Sequence, residues 1–211
     1  MECRQRATPQ RVREALGERA PAEVVTIGDA ALLDRPLLGL VCSVRCPGGI
    51  ILAAYDLAVA LREAGVPVAG GFHSPMEREM LRLLLRGRQP VVVCPARGVA
   101  GMRVPAEWRA AIAEGRLAVA SPFVTAVRRA TAQTAAARNR FVAALAASML
   151  VVHAAPGGKT EALCREVSGW GKPLTALADP ANAGLAALGA RALRVEEVSA
   201  WWQGVWTGNI C

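Results

Sequence analysis

Five short stretches hold the residues that could do chemistry. They are Cys42-Ser43-Val44-Arg45-Cys46-Pro47-Gly48-Gly49, Gly70-Gly71-Phe72-His73-Ser74-Pro75, Cys94-Pro95-Ala96-Arg97-Gly98, Arg138-Asn139-Arg140, and His153-Ala154-Ala155-Pro156-Gly157-Gly158-Lys159-Thr160-Glu161. Glycines, small hydroxyls and bases recur in them. That is the equipment of phosphate binding. Glycine lets a backbone come close to an anion, and the start of a following helix offers it unpaired N–H groups. Arg45, Arg97 and Lys159 would supply charge, and Ser43, Ser74 and Thr160 hydroxyls. One such loop is an ordinary turn. Several on one rim point to a phosphate-bearing ligand. Glu161, directly after the glycine turn, adds a carboxylate that could serve as a catalytic acid or base.

The elements that must position these loops follow from hydrophobic periodicity. Apolar runs at 37–43, 66–71, 90–98, 116–123, 149–154 and 172–178 read as buried strands. Between them, 49–65, 75–87, 106–115, 134–148 and 159–171 read as helices, with a short helix at 182–190. Ile50, Ala54, Leu57, Ala58 and Leu61 form one helical stripe. On the helix at 75–87 Met76, Met80, Leu83 and Leu84 face inward, and Glu77, Arg78, Glu79 and Arg82 are expected in solvent. Strand–helix alternation requires crossovers and a parallel sheet covered on both faces. The predicted fold class is therefore α/β, a Rossmann-like, doubly wound, mainly parallel sheet. Ligands of such sheets sit beyond the carboxyl ends of the strands, where these loops fall. Residues 1–35 read as an N-terminal extension with a short helix near Pro9–Glu18, 36–198 as the Rossmann-like domain, and 199–211 as a Trp-rich tail.

Composition narrows the function. The chain has 211 residues, 53% of them hydrophobic, and a net charge of +8, which favours anionic partners such as nucleic acid or nucleotides. The opening MECRQRATPQ has no apolar signal core, and no apolar run is long enough to span a bilayer. No membrane role is expected, and the six cysteines are expected as reduced thiols in the cytoplasm. Without a Cys-x-x-Cys pair and with two histidines, no metal site and no cofactor are expected. The Gly-x-Gly-x-x-Gly dinucleotide fingerprint is absent, and His153 stands where a P-loop would need its first glycine.

The stretches LVCSVRCPGG, VPVAGGFHSPMEREML, PVVVCPARG, ARNRFVAALAASMLVVHAAPGGKTEAL and GKPLTAL resemble the Rossmann-like domain of the DNA-processing protein A (DprA/Smf) family over roughly residues 36–195. CSVR stands where that family has Gly-Ser-Arg, and ARNR and PGGKTEA match its basic helix start and its glycine turn. The second loop lacks the family's Asp. The resemblance implies binding of single-stranded DNA, contact with a RecA-like recombinase and a homodimer. It puts phosphates against Arg45, Arg138, Arg140 and Lys159, with Asn139 beside them and close backbone approach at Gly48–Gly49, Gly70–Gly71 and Gly157–Gly158.

PGGKTEAL is also similar to the Pro-Gly-Gly signature of the "lonely guy" phosphoribohydrolases, though one residue shorter between glycine and threonine. That resemblance implies a nucleoside monophosphate substrate, with Glu161 as the catalytic group; a nucleotide-sensing protein would share the site without the reaction. Bland roles stand beside these. Glu161 is also a favourable charge at a helix start. His73 and His153 fall at strand ends and suit capping or packing. Cys42 and Cys46 read as small packing residues. Trp201, Trp202 and Trp206 suit packing or base stacking.

Overall fold

The computed structural model describes residues 2–123 and 127–207, with side chains described to Val205. The strands are β1 (Cys3–Ala7), β2 (Glu23–Gly28), β3 (Leu38–Cys42), β4 (Val68–Gly70), β5 (Val91–Val93), β6 (Leu117–Ser121), β7 (Ser148–His153), β8 (Leu174–Leu177) and β9 (Arg191–Leu193). The helices are α1 (Gln10–Leu16), α2 (Gly48–Glu63), α3 (Pro75–Leu84), α4 (Ala106–Ala113), α5 (Ala132–Leu145), α6 (Lys159–Gly169) and α7 (Val198–Thr207).

All nine strands form one sheet in the order β1-β2-β6-β5-β4-β3-β7-β8-β9. From β6 to β9 every neighbouring pair is parallel. The chain winds outward from β3 through β4, β5 and β6, then returns to β7 on the other side of β3 and winds outward again. The expected doubly wound Rossmann-like sheet is thus present, and its topological switch point lies between β3 and β7.

The central strands consist of buried residues because helices cover both faces. One face packs on Ile50 and Leu57 of α2, Met76 and Met80 of α3, and Trp201 and Trp202 of α7. The other packs on Val12 of α1 and Phe141 of α5, with Leu163 and Val167 of α6 beside them. At the centre Gly39 is required by space. A Cβ there would lie 2.2 Å from Met149 Sδ.

The structure differs from the sequence reading at the sheet edges, where β9 was also not expected, and at Glu77. Residues 3–28, expected ahead of the sheet, carry β1 and β2, which extend its edge: β2 pairs antiparallel with β6, and β1 antiparallel with β2. The reason is legible in β1. It is an edge strand whose Arg4 and Gln5 face water, so hydropathy does not mark it. Glu77, expected in solvent, is buried, 5% exposed. The first-turn position of α3 aims its carboxylate at the backbone of two loops rather than outward.

Helix α5 is fixed at its C-terminal end by long cations. Arg11 Nε donates to Leu145 O at 2.7 Å and Lys172 Nζ donates to Ala146 O. These satisfy carbonyls that a helix end leaves free. Burial, and then the Arg11 charge, lower the Lys172 pKa to about 8.

Candidate nucleic-acid interface

Two helices begin at the switch point, and neither has a side-chain cap. Helix α2 starts after Pro47 and α6 after Gly158, and neither N-cap residue has a side chain that accepts from the first-turn N–H groups. Their first N–H groups therefore present partial positive charge beyond the ends of β3 and β7. Ser43 joins the two loops. Its N–H donates to His153 O at 2.9 Å, and its Oγ accepts from Ala155 N at 3.0 Å. Arg45, Gly48, Gly49, Gly157 and Lys159 ring this spot, all but Arg45 within two residues of a helix start and all exposed; Thr160 is buried. Gly157 has φ 69°, in the left-handed region that favours glycine. Gly158 leaves no room for a side chain, since a Cβ would lie 2.8 Å from Ala155 O.

A second group gathers beyond β4 and β5. Gly71, Phe72, His73, Arg97, Trp108 and Arg138 line a cleft of about 230 Å³. Arg138 is 4% exposed. Its Nη1 donates to Cys94 O at 3.0 Å and its Nε to Asn139 Oδ1 at 2.7 Å. Desolvation lowers its pKa, and the Glu77 carboxylate opposes that shift. Glu77 in turn accepts from the N–H groups of Cys42 at 2.9 Å, His73 at 2.7 Å and Ser74 at 3.1 Å. Ser74 returns its Oγ to Glu77 N, completing a capping box. One buried carboxylate thus ties the loop after β3 to the loop after β4. Gly70 and Gly71 serve this framework. A Cβ on Gly70 would meet the Phe72 ring at 3.1 Å. Phe72 itself is held at φ 45°, a strained position for a bulky residue.

Arg140 is drawn elsewhere. Its Nε donates to Glu166 Oε2 at 2.7 Å, and Glu166 also holds Arg19 at 2.9 Å. With Asn139 and Lys159 it lines a cleft of about 270 Å³ between α5 and α6. Glu161 is held in place. It accepts from Gly157 N at 2.5 Å and from Arg165 at 2.6 Å, and both lower its pKa. A general acid needs the opposite shift. His153 donates its Nδ1–H to Asn182 Oδ1 at 3.1 Å, an oxygen already accepting from Ala154 N. Asn182 donates to Val152 O and Leu177 O, so His153 is a packed core histidine. His73 is exposed at the start of α3.

The sequence-predicted residues therefore divide into three places: the switch point, the cleft beyond β4 and β5, and the α5–α6 groove. Sequence reasoning missed Glu77, Trp108 and Asn182. Glu77 carried one signal, the Ser-x-x-Glu spacing of a capping box.

The family model of DNA recombination-mediator protein A matches residues 3–182. The chain belongs to this family. Solved family structures share its fold. DNA processing protein A from Helicobacter pylori, described for its single-stranded DNA binding mode, superposes with a TM-score of 0.76 at 17% identity, covering 99% of this chain and 97% of that one. The Streptococcus pneumoniae DNA processing protein A gives 0.75 at 16% identity, over 95% and 74%. A molybdenum cofactor binding protein from Rippkaea orientalis is more distant, with 0.57 at 11% identity over 82% and 98%. No curated protein matches the sequence. In the basic stretch Arg138-Asn139-Arg140, Arg138 is spent on the framework and Arg140 on Glu166.

Proposed function

We propose that this chain binds single-stranded DNA across the switch point of its sheet. The observation that carries the reading is the pairing of two side-chain-uncapped helix starts, α2 and α6, joined through Ser43 and flanked by exposed Arg45 and Lys159. Phosphates are the anions such a site suits, and the net charge of +8 draws them in. Gly48, Gly49 and Gly157 give the phosphate backbone room. Arg97, at the neighbouring cleft, extends the basic rim. The Helicobacter pylori relative, whose structure describes a single-stranded DNA binding mode, supports the same ligand.

Family membership extends the reading to a homodimer that brings the strand to a RecA-like recombinase in the cytoplasm. No helix among the described residues is long and apolar enough to cross a membrane.

The test is titration of the full chain with a fluorescent unstructured oligonucleotide and with the same sequence as a duplex. Tighter binding of the single strand, weakening with salt, is expected. Equal or absent binding would overturn the reading.

A further inference from the structure

We propose that Cys42 and Cys46 form a reversible disulfide that clamps the loop Ser43-Val44-Arg45. Their Sγ atoms lie 3.2 Å apart. A disulfide needs about 2.05 Å, so closure asks for a movement of roughly an ångström, within reach of side-chain rotation. The backbone around them is already held. Cys42 N donates to Glu77, Ser43 N to His153 O, and Cys46 Sγ lies 3.5 Å from Ser43 O.

The two thiols differ in access. A cleft of about 380 Å³ opens on Cys46 and is lined also by Val44, Tyr55, Met76, Arg78 and Arg82. Cys42 lies behind it, 5% exposed. Burial raises the Cys42 pKa, and the Cys46 thiol beside it raises it further. Glu79 also lines the cleft and pairs with Arg82, so the Arg78 guanidinium is the group that suits an anionic low-molecular-weight disulfide such as oxidised glutathione. In the first step the Cys46 thiolate attacks one sulfur of that reagent. A mixed disulfide forms and one small thiolate leaves. In the second, Cys42 gives up its proton and attacks the Cys46 sulfur, expelling the second small thiolate. Two protein thiols are oxidised, one small disulfide is reduced to two thiols, and the protons end on the departing sulfurs.

The clamp bears on function because Arg45 sits inside it. Val44 is 68% exposed and Arg45 is exposed, so these side chains are unpacked and a ligand at Arg45 would order them. Clamping the turn beforehand lowers the cost of that ordering. This consequence, unlike the disulfide itself, rests on the proposed DNA binding.

The experiment incubates the full folded chain with oxidised glutathione, then maps it by mass spectrometry after tryptic cleavage at Arg45, which separates the two cysteines. A Cys42–Cys46-linked peptide pair, cleaved by dithiothreitol, is expected. Cys42→Ser should stop at one glutathione on Cys46, and Cys46→Ser should leave Cys42 unmodified. Both thiols remaining free, or a mixed disulfide on Cys46 in the unaltered chain that never passes to Cys42, would overturn the site. The oxidised chain should bind an oligonucleotide about threefold tighter or more, and an unchanged affinity would overturn the clamp. A chain that forms the disulfide but binds no oligonucleotide in either state would leave the site standing and overturn the proposed function.

Discussion

The Arg138 guanidinium occupies the space that any side chain at Gly71 would need. A Cβ on Gly71 would lie 1.9 Å from Arg138 Nη1. The same nitrogen donates to Cys94 O, so the arginine bridges α5 to the loops after β4 and β5. Gly71→Ala must push Arg138 out and break that bond. We expect it to destabilise the fold by about 1–3 kcal/mol. Arg138→Ala leaves Glu77 buried without its facing cation and should cost about 3 kcal/mol. The double variant should cost less than the sum, because both changes remove one arrangement. Urea denaturation of the four proteins measures this. Additive costs would mean that the two residues act independently.

Salt dependence separates the exposed cations from the buried one. Arg45→Ala and Lys159→Ala should each make the log–log salt slope of single-strand binding shallower by about 0.7, the value for one phosphate contact. Arg138→Ala, compared under conditions where it remains folded, should leave the slope unchanged, because its guanidinium is committed to Cys94 O and Asn139. A shallower slope in Arg138→Ala would restore it to the phosphate contacts that the sequence suggested.

The sheet was legible where strands are buried on both faces. Leu38–Cys42 and Ser148–His153 are buried throughout and largely apolar, and the loops after them fall beyond the carboxyl ends of the strands, where the alternation put them. Strand β1 was not, because an exposed edge strand is held by backbone pairing that its Arg and Gln do not advertise. In the site, the basic residues were legible as types but not as partners. No acid lies within a helical turn of Arg138 or Arg140, yet tertiary packing brings Glu77 to face the first and Glu166 to pair with the second. Periodicity reports which face of a helix is wet. It cannot report that Glu77, in a polar run, meets three N–H groups from the end of β3 and the loop after β4.

Lys172 gives a pH signature. Its folded pKa of about 8 lies below the ordinary 10.5, so the unfolded chain binds more protons than the folded one between those values. Stability from this group therefore rises with pH across that window, and below pH 8 the cost of the buried charge is present in full. Comparing the unaltered chain with Lys172→Met by urea denaturation at pH 7 and pH 10, the unaltered chain should gain on the order of 2 kcal/mol relative to the variant. No relative change would show that the ammonium is well solvated in the folded state.

Trp201 and Trp202 pack on the core, 3% and 7% exposed, with ring centroids 5.9 Å apart. Trp202→Ala should lower stability by about 3–5 kcal/mol. Oligonucleotide affinity, measured well below the melting temperature, should be unchanged. Lost affinity in a folded variant would assign the ring to base stacking. Trp206, named with them from the sequence, has a side chain outside the described residues.

The last prediction concerns whether the glycine turn binds or also cuts. Glu161 spends one carboxylate oxygen on Gly157 N and the other on Arg165, and both contacts stabilise its ionised form. A group so held has no proton to give a leaving base near neutral pH, and its lone pairs serve the turn that shapes the helix start. In a phosphoribohydrolase, Glu161→Gln would abolish release of free base from a nucleoside monophosphate, by roughly a hundredfold or more, while binding survived. Here we expect no release from the unaltered chain, so the substitution has no activity to remove. Its effect should fall on the turn. Loss of the carboxylate weakens the bond to Gly157 N and removes a negative charge beside the proposed phosphate site, so a modest stability loss should accompany equal or slightly tighter oligonucleotide binding. Free base released by the unaltered chain and lost in Glu161→Gln would make the turn catalytic after all.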